Sequence, residues 1–188
     1  MKIWTYTMSI ISVLLAACTG ESPAEDPGAA AGAVEAEPTL SSFAATPPDT
    51  TARSVWAILQ ESDYPARWSV WPGRGELYSG GEPHGMLLTT YLNDVAAGAL
   101  EAQLGAMPRG AILVKENYTP DSVLAAVTVM VKQNPGYNPA HNDWWFMKRN
   151  ADGSVDAAGR GEGCQNCHQD AAANDYVFTG SLAGQGGG

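Results

Sequence analysis

The residues with the most definite chemistry lie near the C-terminal end, in the stretch Cys164-Gln165-Asn166-Cys167-His168. Two cysteines three positions apart, followed at once by a histidine, match the attachment site of a c-type haem. In such a site the two thiols add to the haem vinyl groups, and the adjacent imidazole reaches the iron as the proximal ligand. The spacing therefore predicts one covalently attached haem c on Cys164 and Cys167, with His168 as the metal ligand.

Two other kinds of site use cysteines at this spacing. A four-ligand zinc site would need more partners, and outside the motif the chain offers only His84, His141 and Cys18. A redox dithiol should open a helix after a strand, and Gly161-Glu162-Gly163 before the motif predicts no strand. Both alternatives explain the motif less well than haem attachment does.

The N-terminal residues 1–17 carry a single charge, Lys2, followed by a mostly apolar run that is too short to span a membrane. This pattern is typical of an export signal, and the small residues before Cys18 resemble a bacterial lipobox in which Cys18 is acylated. A cleaved signal with an incidental cysteine is the alternative. Thr19 in the next position, in place of Asp, favours the outer membrane. The sequence thus predicts a periplasmic lipoprotein, and haem is attached to such motifs outside the cytoplasm.

The chain contains 20 acidic and 10 basic side chains, which gives a net charge of −10. Such a surface excludes nucleic acid and bare anionic lipid as partners, so membrane contact is expected through the lipid anchor alone. Residues 18–50 are acidic and rich in Ala and Pro, which predicts a disordered tether. We expect one haem domain over residues 51–180 and a flexible Gly-rich tail over 181–188.

The pattern of the domain predicts a fold of class α+β, mainly β. A helix capped by Thr50 or Thr51 runs to about Ser62, where Tyr64-Pro65 ends it, and Trp68 to Gly85 is a Gly- and Pro-rich loop. A second helix is capped by Asp94 and runs through Leu104. The predicted strands are Met86–Leu92, Ala111–Tyr118, Ser122–Lys132, Asp143–Lys148 and a short run after Gly153. Short turns between sequential strands predict an antiparallel sheet with a few flanking helices and the haem near the C-terminus.

The late position of the motif argues against the common small helical cytochromes c. The segment after His168 contains neither Met nor His, so a distal ligand must come from upstream. The methionines are expected to fill the core, and the tryptophans to pack against the core and the haem faces. These residues are Met86, Met107, Met130, Met147, Trp68, Trp71, Trp144 and Trp145.

Four short segments, taken with the haem motif and in this order, resemble the cytochrome P-460 family. They are Pro83-His84-Gly85 leading into Thr90-Tyr91-Leu92-Asn93, Gly110 to Glu116, Asp143-Trp144-Trp145-Phe146 followed by Asp152-Gly153, and Asp175 to Thr179. The resemblance implies a β-rich haem protein, frequently a homodimer. The family includes hydroxylamine-oxidising cytochromes and the nitric-oxide-binding β-sheet relatives of cytochrome c-prime.

In the enzymatic members of the family a lysine is joined covalently to the haem macrocycle, and the resemblance matches Lys115 to it. Period-two alternation places Lys115 on the apolar strand face of Ala111 and Leu113, where a free ammonium group is costly. The alternative is a lysine at a strand end that reaches solvent along its own stem, as Lys132 and Lys148 would also do.

The candidates for a distal pocket group are Glu116 and His84. Glu116 lies on the opposite strand face from Lys115, so both enter one pocket only if a bulge or twist intervenes; a solvated glutamate is the alternative. His84 lies in a loop, where a histidine is often simple polar surface. The sequence thus indicates a cytochrome whose distal haem position is open or weakly occupied. It binds or oxidises hydroxylamine or nitric oxide there and passes electrons to a redox partner protein. An electron carrier with both axial positions filled, and a nitric oxide sensor without turnover, stay open.

Overall fold

The computed structural model describes residues 36–184, which form a mainly β domain built on one seven-stranded antiparallel sheet. The strand order is β1-β3-β4-β5-β6-β7, and β2 also pairs with β3. The strands are β1 Ser69–Val70, β2 Tyr78–Gly81, β3 Gly85–Leu92, β4 Ile112–Tyr118, β5 Leu124–Lys132, β6 Trp144–Asn150 and β7 Val155–Gly159. The predicted class, α+β with an antiparallel sheet and a few flanking helices, is confirmed.

Five short α-helices flank the sheet: α1 Leu40–Phe43, α2 Ala52–Glu61, α3 Tyr64–Arg67, α4 Asp94–Glu101 and α5 Glu162–His168. Short 3-10 helices cover Pro139–His141 and Gln169–Asn174. Thr51 caps α2 as expected, because its hydroxyl accepts a hydrogen bond from the Ser54 amide at 3.1 Å. No helix within residues 36–184 is long and apolar enough to cross a membrane.

Several local predictions need correction. The loop expected over residues 68–85 contains β1 and β2, which its Gly and Pro content did not suggest. Tyr64-Pro65 begins α3, because proline is tolerated in the first turn of a helix. The cap of α4 is Asn93, whose side-chain oxygen accepts from the amides of Ala96 and Ile112, both at 3.0 Å, and the helix ends at Glu101, three residues early.

The two faces of the sheet pack against different elements. One face lies under α2 and α3 and forms an apolar cluster that includes Val55, Leu59, Val114 and Trp145. The other face packs against α4 and the C-terminal segment. Side chains of alternate strand residues therefore point either into a closed core or toward the C-terminal part of the chain, where the cysteine motif lies.

The predicted tether does not extend to residue 50. Residues 36–50 lie against the domain: Phe43 contacts Gly98 in α4, and the Ala45 amide donates to the carbonyl of Arg109 at 2.9 Å. The indole of Trp145 donates to the Thr50 carbonyl at 3.1 Å. Backbone groups of an Ala- and Pro-rich segment supply these contacts, so composition alone gave no sign of them. The domain therefore begins before the predicted boundary at residue 51.

The C-terminal boundary also shifts. Leu182 is buried, its amide donates to Asn174 at 3.0 Å, and its carbonyl accepts from the Gly105 amide at 3.2 Å. The predicted flexible tail over 181–188 therefore contributes to the core through residue 182. Residues 185–188, residues 1–35 and the predicted lipidation at Cys18 lie outside the described residues.

Candidate haem site

The cysteine motif forms the last part of helix α5. Its i, i+3 and i+4 spacing puts Cys164, Cys167 and His168 on one side of the helix. All three line one cavity of about 330 Å³ between α5 and the open face of the sheet. Both cysteines carry free thiols, and burial raises the pKa of the Cys164 thiol. The structure thus brings together the three residues that the motif predicted for a haem.

The imidazole of His168 is fixed by a backbone carbonyl. His168 is 8 % exposed, and its Nδ1 lies 2.7 Å from the carbonyl oxygen of Tyr176. A carbonyl can only accept, so Nδ1 carries the proton and Nε2 keeps its lone pair. Metal-binding histidines are commonly oriented in this way by a hydrogen bond at the other ring nitrogen. Burial lowers the pKa of His168, which favours the neutral ring that a metal requires.

Asp175 holds the segment that carries this carbonyl. Its carboxylate accepts from the Met107 amide at 2.7 Å, from Nζ of Lys132 at 2.6 Å and from the Asn142 side chain. The indole of Trp144 donates to the Asp175 carbonyl at 2.9 Å. Asp175 and Tyr176 both have positive φ, so the chain turns sharply here and depends on these contacts. Asp175 therefore positions the carbonyl that orients His168.

Lys132 does not reach solvent, contrary to the alternative considered for strand-end lysines. It is 8 % exposed and its ammonium lies 4.7 Å from the centre of the Trp144 ring. Burial lowers the pKa of Lys132, and the Asp175 carboxylate opposes that shift. Lys148 is half-exposed and pairs with Asp156 at 3.1 Å.

The sheet face under α5 carries two rows of cross-strand neighbours, and all of them except Leu92 line the cavity. The strand registers align Leu92, Leu113, Met130 and Phe146 in an apolar row, and Thr90, Lys115, Thr128 and Lys148 in a polar row. Phe146 and Phe178 flank the His168 ring, with centroids 5.3 and 5.5 Å from it. The cavity therefore has an apolar floor and aromatic walls near His168, with a polar row to one side.

Lys115 extends into the cavity from the polar row. It shares the cavity face with Leu113, as the alternation predicted, and the cavity also contains Cys164 and Cys167. Burial, with a smaller contribution from the positive charge of Arg74, lowers the pKa of Lys115 to about 8. At neutral pH a larger fraction of its amine is therefore unprotonated, and so able to act as a nucleophile, than in an ordinary lysine.

His84 also lies in this cavity, on the turn between β2 and β3. Its ring centroid is 6.1 Å from that of His168, and the two ring planes are perpendicular. Burial, and then the positive charge of Lys115, lower the pKa of His84 to about 4, so the ring is neutral at neutral pH.

Glu116 lies outside the cavity. Register and alternation put it on the opposite sheet face, where Tyr64 donates to it at 2.9 Å and Tyr118 at 2.5 Å. The bulge in β4 falls between Asn117 and Tyr118, beyond Glu116, so it does not turn this side chain toward Lys115. Glu116 is 7 % exposed, so the solvated alternative is also wrong. We therefore do not assign Glu116 to the distal pocket.

A second cavity of about 320 Å³ adjoins the first and shares His84, Lys115, Cys167 and His168 with it. Arg74 and Tyr78 line it, with the guanidinium 5.7 Å from the centre of the Tyr78 ring. Arg74 Nε also donates to the Thr179 carbonyl at 2.9 Å, which fixes the guanidinium near Phe178. Sequence reasoning missed Arg74, because an arginine in a Gly-rich loop carries no signal until β2 folds beside β3.

The methionines and tryptophans largely fill the core. Met107, Trp71, Trp144 and Trp145 are buried, and Met130 and Met147 line the first cavity. Met86 differs from the prediction, because it is 53 % exposed.

The residues of the cavity fit a c-type haem. Two free thiols and an imidazole with a free Nε2 face one space whose floor is apolar, and these are the groups that attach and ligate such a haem. Among residues 36–184, no group of three or more His, Cys, Asp or Glu side chains is arranged to hold a metal ion.

Fold and cavity together define a mainly β protein with a haem-attachment motif over the open face of its antiparallel sheet. Residues 76–179 match the family model described as Cytochrome P460. The chain therefore belongs to the cytochrome P460 family, which implies a haem cofactor. The matched range includes His84, Lys115 and the whole cysteine motif. No curated protein matches the chain.

Proposed function

We propose that this protein is a periplasmic, lipid-anchored cytochrome with one haem c, which binds or oxidises a small nitrogen species such as hydroxylamine or nitric oxide. The observation that carries the proposal is the convergence of Cys164, Cys167 and His168 on the cavity that also contains Lys115 and His84. Family membership supports the haem and the nitrogen chemistry.

Each residue of the motif has a separate task in this proposal. The thiols of Cys164 and Cys167 each add an S–H across a vinyl group, which forms a thioether without net oxidation. His168 supplies Nε2 to the metal, and the Tyr176 carbonyl keeps that nitrogen unprotonated and directed into the cavity. When bound, the haem supplies a Lewis-acidic iron that also accepts electrons.

The distal groups act on the substrate's protons. A neutral His84 can accept a hydrogen bond or a proton from an N–H or O–H group in the cavity. Arg74 adds positive charge near the same space, which favours a deprotonated or electron-rich ligand. Phe146, which is buried, and Phe178 supply apolar ring surface beside His168.

We also propose that Lys115 is the residue joined to the haem macrocycle. Its low pKa and its place in the cavity with both cysteines support this assignment. Bond formation removes one hydrogen from the amine and one from a ring carbon, so a two-electron oxidant such as a peroxide must take up the electrons. Peptide mapping by mass spectrometry tests the link: a Lys115 peptide joined to the haem peptide supports it, and a haem held by two thioethers alone contradicts it.

A second function, electron transfer without a substrate, is favoured by the placement of His84 opposite His168. Two imidazoles could then fill both axial positions of the iron. Spectra of the purified holoprotein, oxidised, reduced and with hydroxylamine, separate the two functions. A spectral change with hydroxylamine, and turnover with an artificial electron acceptor, support the oxidase. A six-coordinate ferric haem that binds neither hydroxylamine nor nitric oxide contradicts the leading proposal.

Nitric oxide binding without turnover is the third outcome of the same assay. It would identify a sensor or scavenger and leave the binding part of the proposal intact.

Anchoring and export need their own test. Labelling of growing cells with a radioactive fatty acid should mark the wild-type protein and leave Cys18→Ala unmarked. A wild-type protein that takes up no fatty acid contradicts the lipid anchor. We further propose that the electrons pass to a separate redox protein and that the chain forms a homodimer; chemical cross-linking of the purified holoprotein tests the latter.

A further inference from the structure

His84 lies on a tight turn beside the cavity. Strands β2 and β3 pair through Gly81 and Gly85, and the amide of His84 donates to the Gly81 carbonyl at 3.0 Å. The preceding residues Glu82 and Pro83 are exposed, whereas the His84 ring is directed inward and is only partly exposed. The ring therefore enters the cavity from a turn that has solvent on its outer side.

The distance between the two histidine rings matches that of two imidazoles bound to one metal. An iron between two imidazoles needs a bond of about 2 Å to each nitrogen, which separates the nitrogens by about 4 Å and the ring centres by about 6 Å. The observed centroid separation between His84 and His168 is 6.1 Å. The perpendicular ring planes are compatible with axial ligation, because each ring can rotate about its own metal bond.

The hydrogen bonds around His84 fix its tautomer. Thr128 Oγ1 lies 3.2 Å from His84 Nδ1 and uses its own proton toward the Lys115 carbonyl at 3.3 Å. With that proton engaged, Oγ1 acts as an acceptor, and we assign the donor role to Nδ1 of His84. Asn117 Oδ1 is buried without a partner and belongs to the same group, since its amide nitrogen lies 3.4 Å from Thr128 Oγ1. The Asn117 amide donates to Thr128 Oγ1, and Oγ1 in turn accepts the proton of His84 Nδ1, which leaves the lone pair of the ring on Nε2.

Resting on the function proposed above, we propose that His84 Nε2 is the second axial ligand of the iron in the substrate-free protein. A small nitrogen ligand must then displace it. In both histidines Nδ1 is held by an acceptor and Nε2 is free. The two residues differ in how firmly the surrounding structure holds them. His168 is buried and lies next to a thioether site, whereas His84 sits on an exposed turn. His84 is therefore the ligand that leaves.

Ferric spectra of the full-length holoprotein test this assignment. The wild-type protein should be low-spin, with the strongly anisotropic electron paramagnetic resonance signal of perpendicular imidazoles. His84→Ala should become high-spin, and added imidazole should restore the low-spin spectrum. His141→Ala is the matched control, because His141 does not line either cavity, and its spectrum should equal that of the wild type.

Ligand kinetics provide a second readout. The observed rate of nitric oxide binding should reach a plateau in the wild-type protein, where departure of His84 is limiting, and should rise linearly with concentration in His84→Ala. Thr128→Val, which removes the acceptor and keeps the ring, should weaken the bond between His84 and the iron and raise the high-spin fraction. This variant covers the case in which His84→Ala fails to fold.

A high-spin wild-type protein, or a low-spin spectrum that survives His84→Ala, overturns the assignment. If Lys115→Met loses the low-spin spectrum and His84→Ala keeps it, the second axial ligand is Lys115. This result also overturns the assignment to His84. If neither the wild type nor His84→Ala binds nitric oxide or hydroxylamine, the proposed function fails, while the spin states still decide the role of His84.

Discussion

Nδ1 of His168 donates to the carbonyl oxygen of Tyr176 over 2.7 Å, and this bond leaves Nε2 as the ring's free ligand atom. The acceptor belongs to the backbone, so no side-chain substitution at Tyr176 removes it. Its position depends instead on Asp175, whose carboxylate ties the turn to Lys132 and Met107. Orientation of the predicted iron ligand is therefore coupled to a buried ion pair in the core.

Breaking that ion pair should be strongly destabilising. Asp175→Ala leaves the Lys132 ammonium buried without its partner, and removal of one member of a buried pair costs about 3–5 kcal/mol. Equilibrium denaturation with guanidinium measures the loss. The double variant Lys132→Met with Asp175→Ala should recover part of it, because no unpaired charge is left in the core.

The exposed ion pair between Lys148 and Asp156 is the matched control for the variants of Lys132 and Asp175. It spans 3.1 Å at the surface, where solvent screens both charges, so Asp156→Ala should cost far less stability than Asp175→Ala. Equal losses for Asp175→Ala and Asp156→Ala would contradict the role given to the buried pair.

The docking of residues 36–50 can be tested at Gly110. Its φ is +87°, and a Cβ there would lie 2.7 Å from the Ala45 carbonyl oxygen. Gly110→Ala should therefore combine backbone strain of about 1–2 kcal/mol with a clash that pushes the segment away. We expect a lower unfolding free energy and faster proteolysis between residues 36 and 50.

Gly136 offers the control, because its φ is +91° and a Cβ added there would have no other atom within 4 Å. Gly136→Ala should incur the backbone strain alone and leave the segment protected. Faster cleavage between residues 36 and 50 in both variants would mean that the segment is not held by the contact at Ala45.

The raised pKa of Tyr64 predicts that the folded protein becomes less stable in alkali. Burial, together with the neighbouring Glu116 carboxylate, raises the pKa of Tyr64 above its usual value of about 10. The folded state thus holds the phenol proton more tightly than the unfolded chain does. The associated stability is complete below pH 10 and is lost as pH rises above it. Denaturation midpoints between pH 8 and 11 should fall less steeply in Tyr64→Phe than in the wild type; equal slopes would contradict this role for the phenol.

The sequence alone predicted the parts of the site whose positions depend on side-chain type and spacing. The motif brings Cys164, Cys167 and His168 to one side of α5, and strict alternation along β4 puts Lys115 on the cavity face and Glu116 on the other. Each of these inferences uses a local periodicity, which a helix turn or a strand converts directly into position.

Features that depend on distant backbone groups were not predictable. The carbonyl of Tyr176 has no side-chain signature, and the docking of residues 36–50 relies on amides and carbonyls that every residue possesses. Asn93 and Asp94 are both residue types that cap helices well. Asn93 is the cap because its side-chain oxygen also accepts a hydrogen bond from the amide of Ile112 in β4. Tertiary contacts supply this information, and local sequence does not.

Covalent attachment of one haem to Cys164 and Cys167 is the central claim, and intact mass spectrometry of the denatured holoprotein tests it most directly. We expect the polypeptide mass plus one haem, with no haem released into acidified acetone, and loss of this attachment in the Cys164→Ser/Cys167→Ser double variant. A polypeptide mass without haem, or haem that extracts freely from the wild-type protein, would contradict the account.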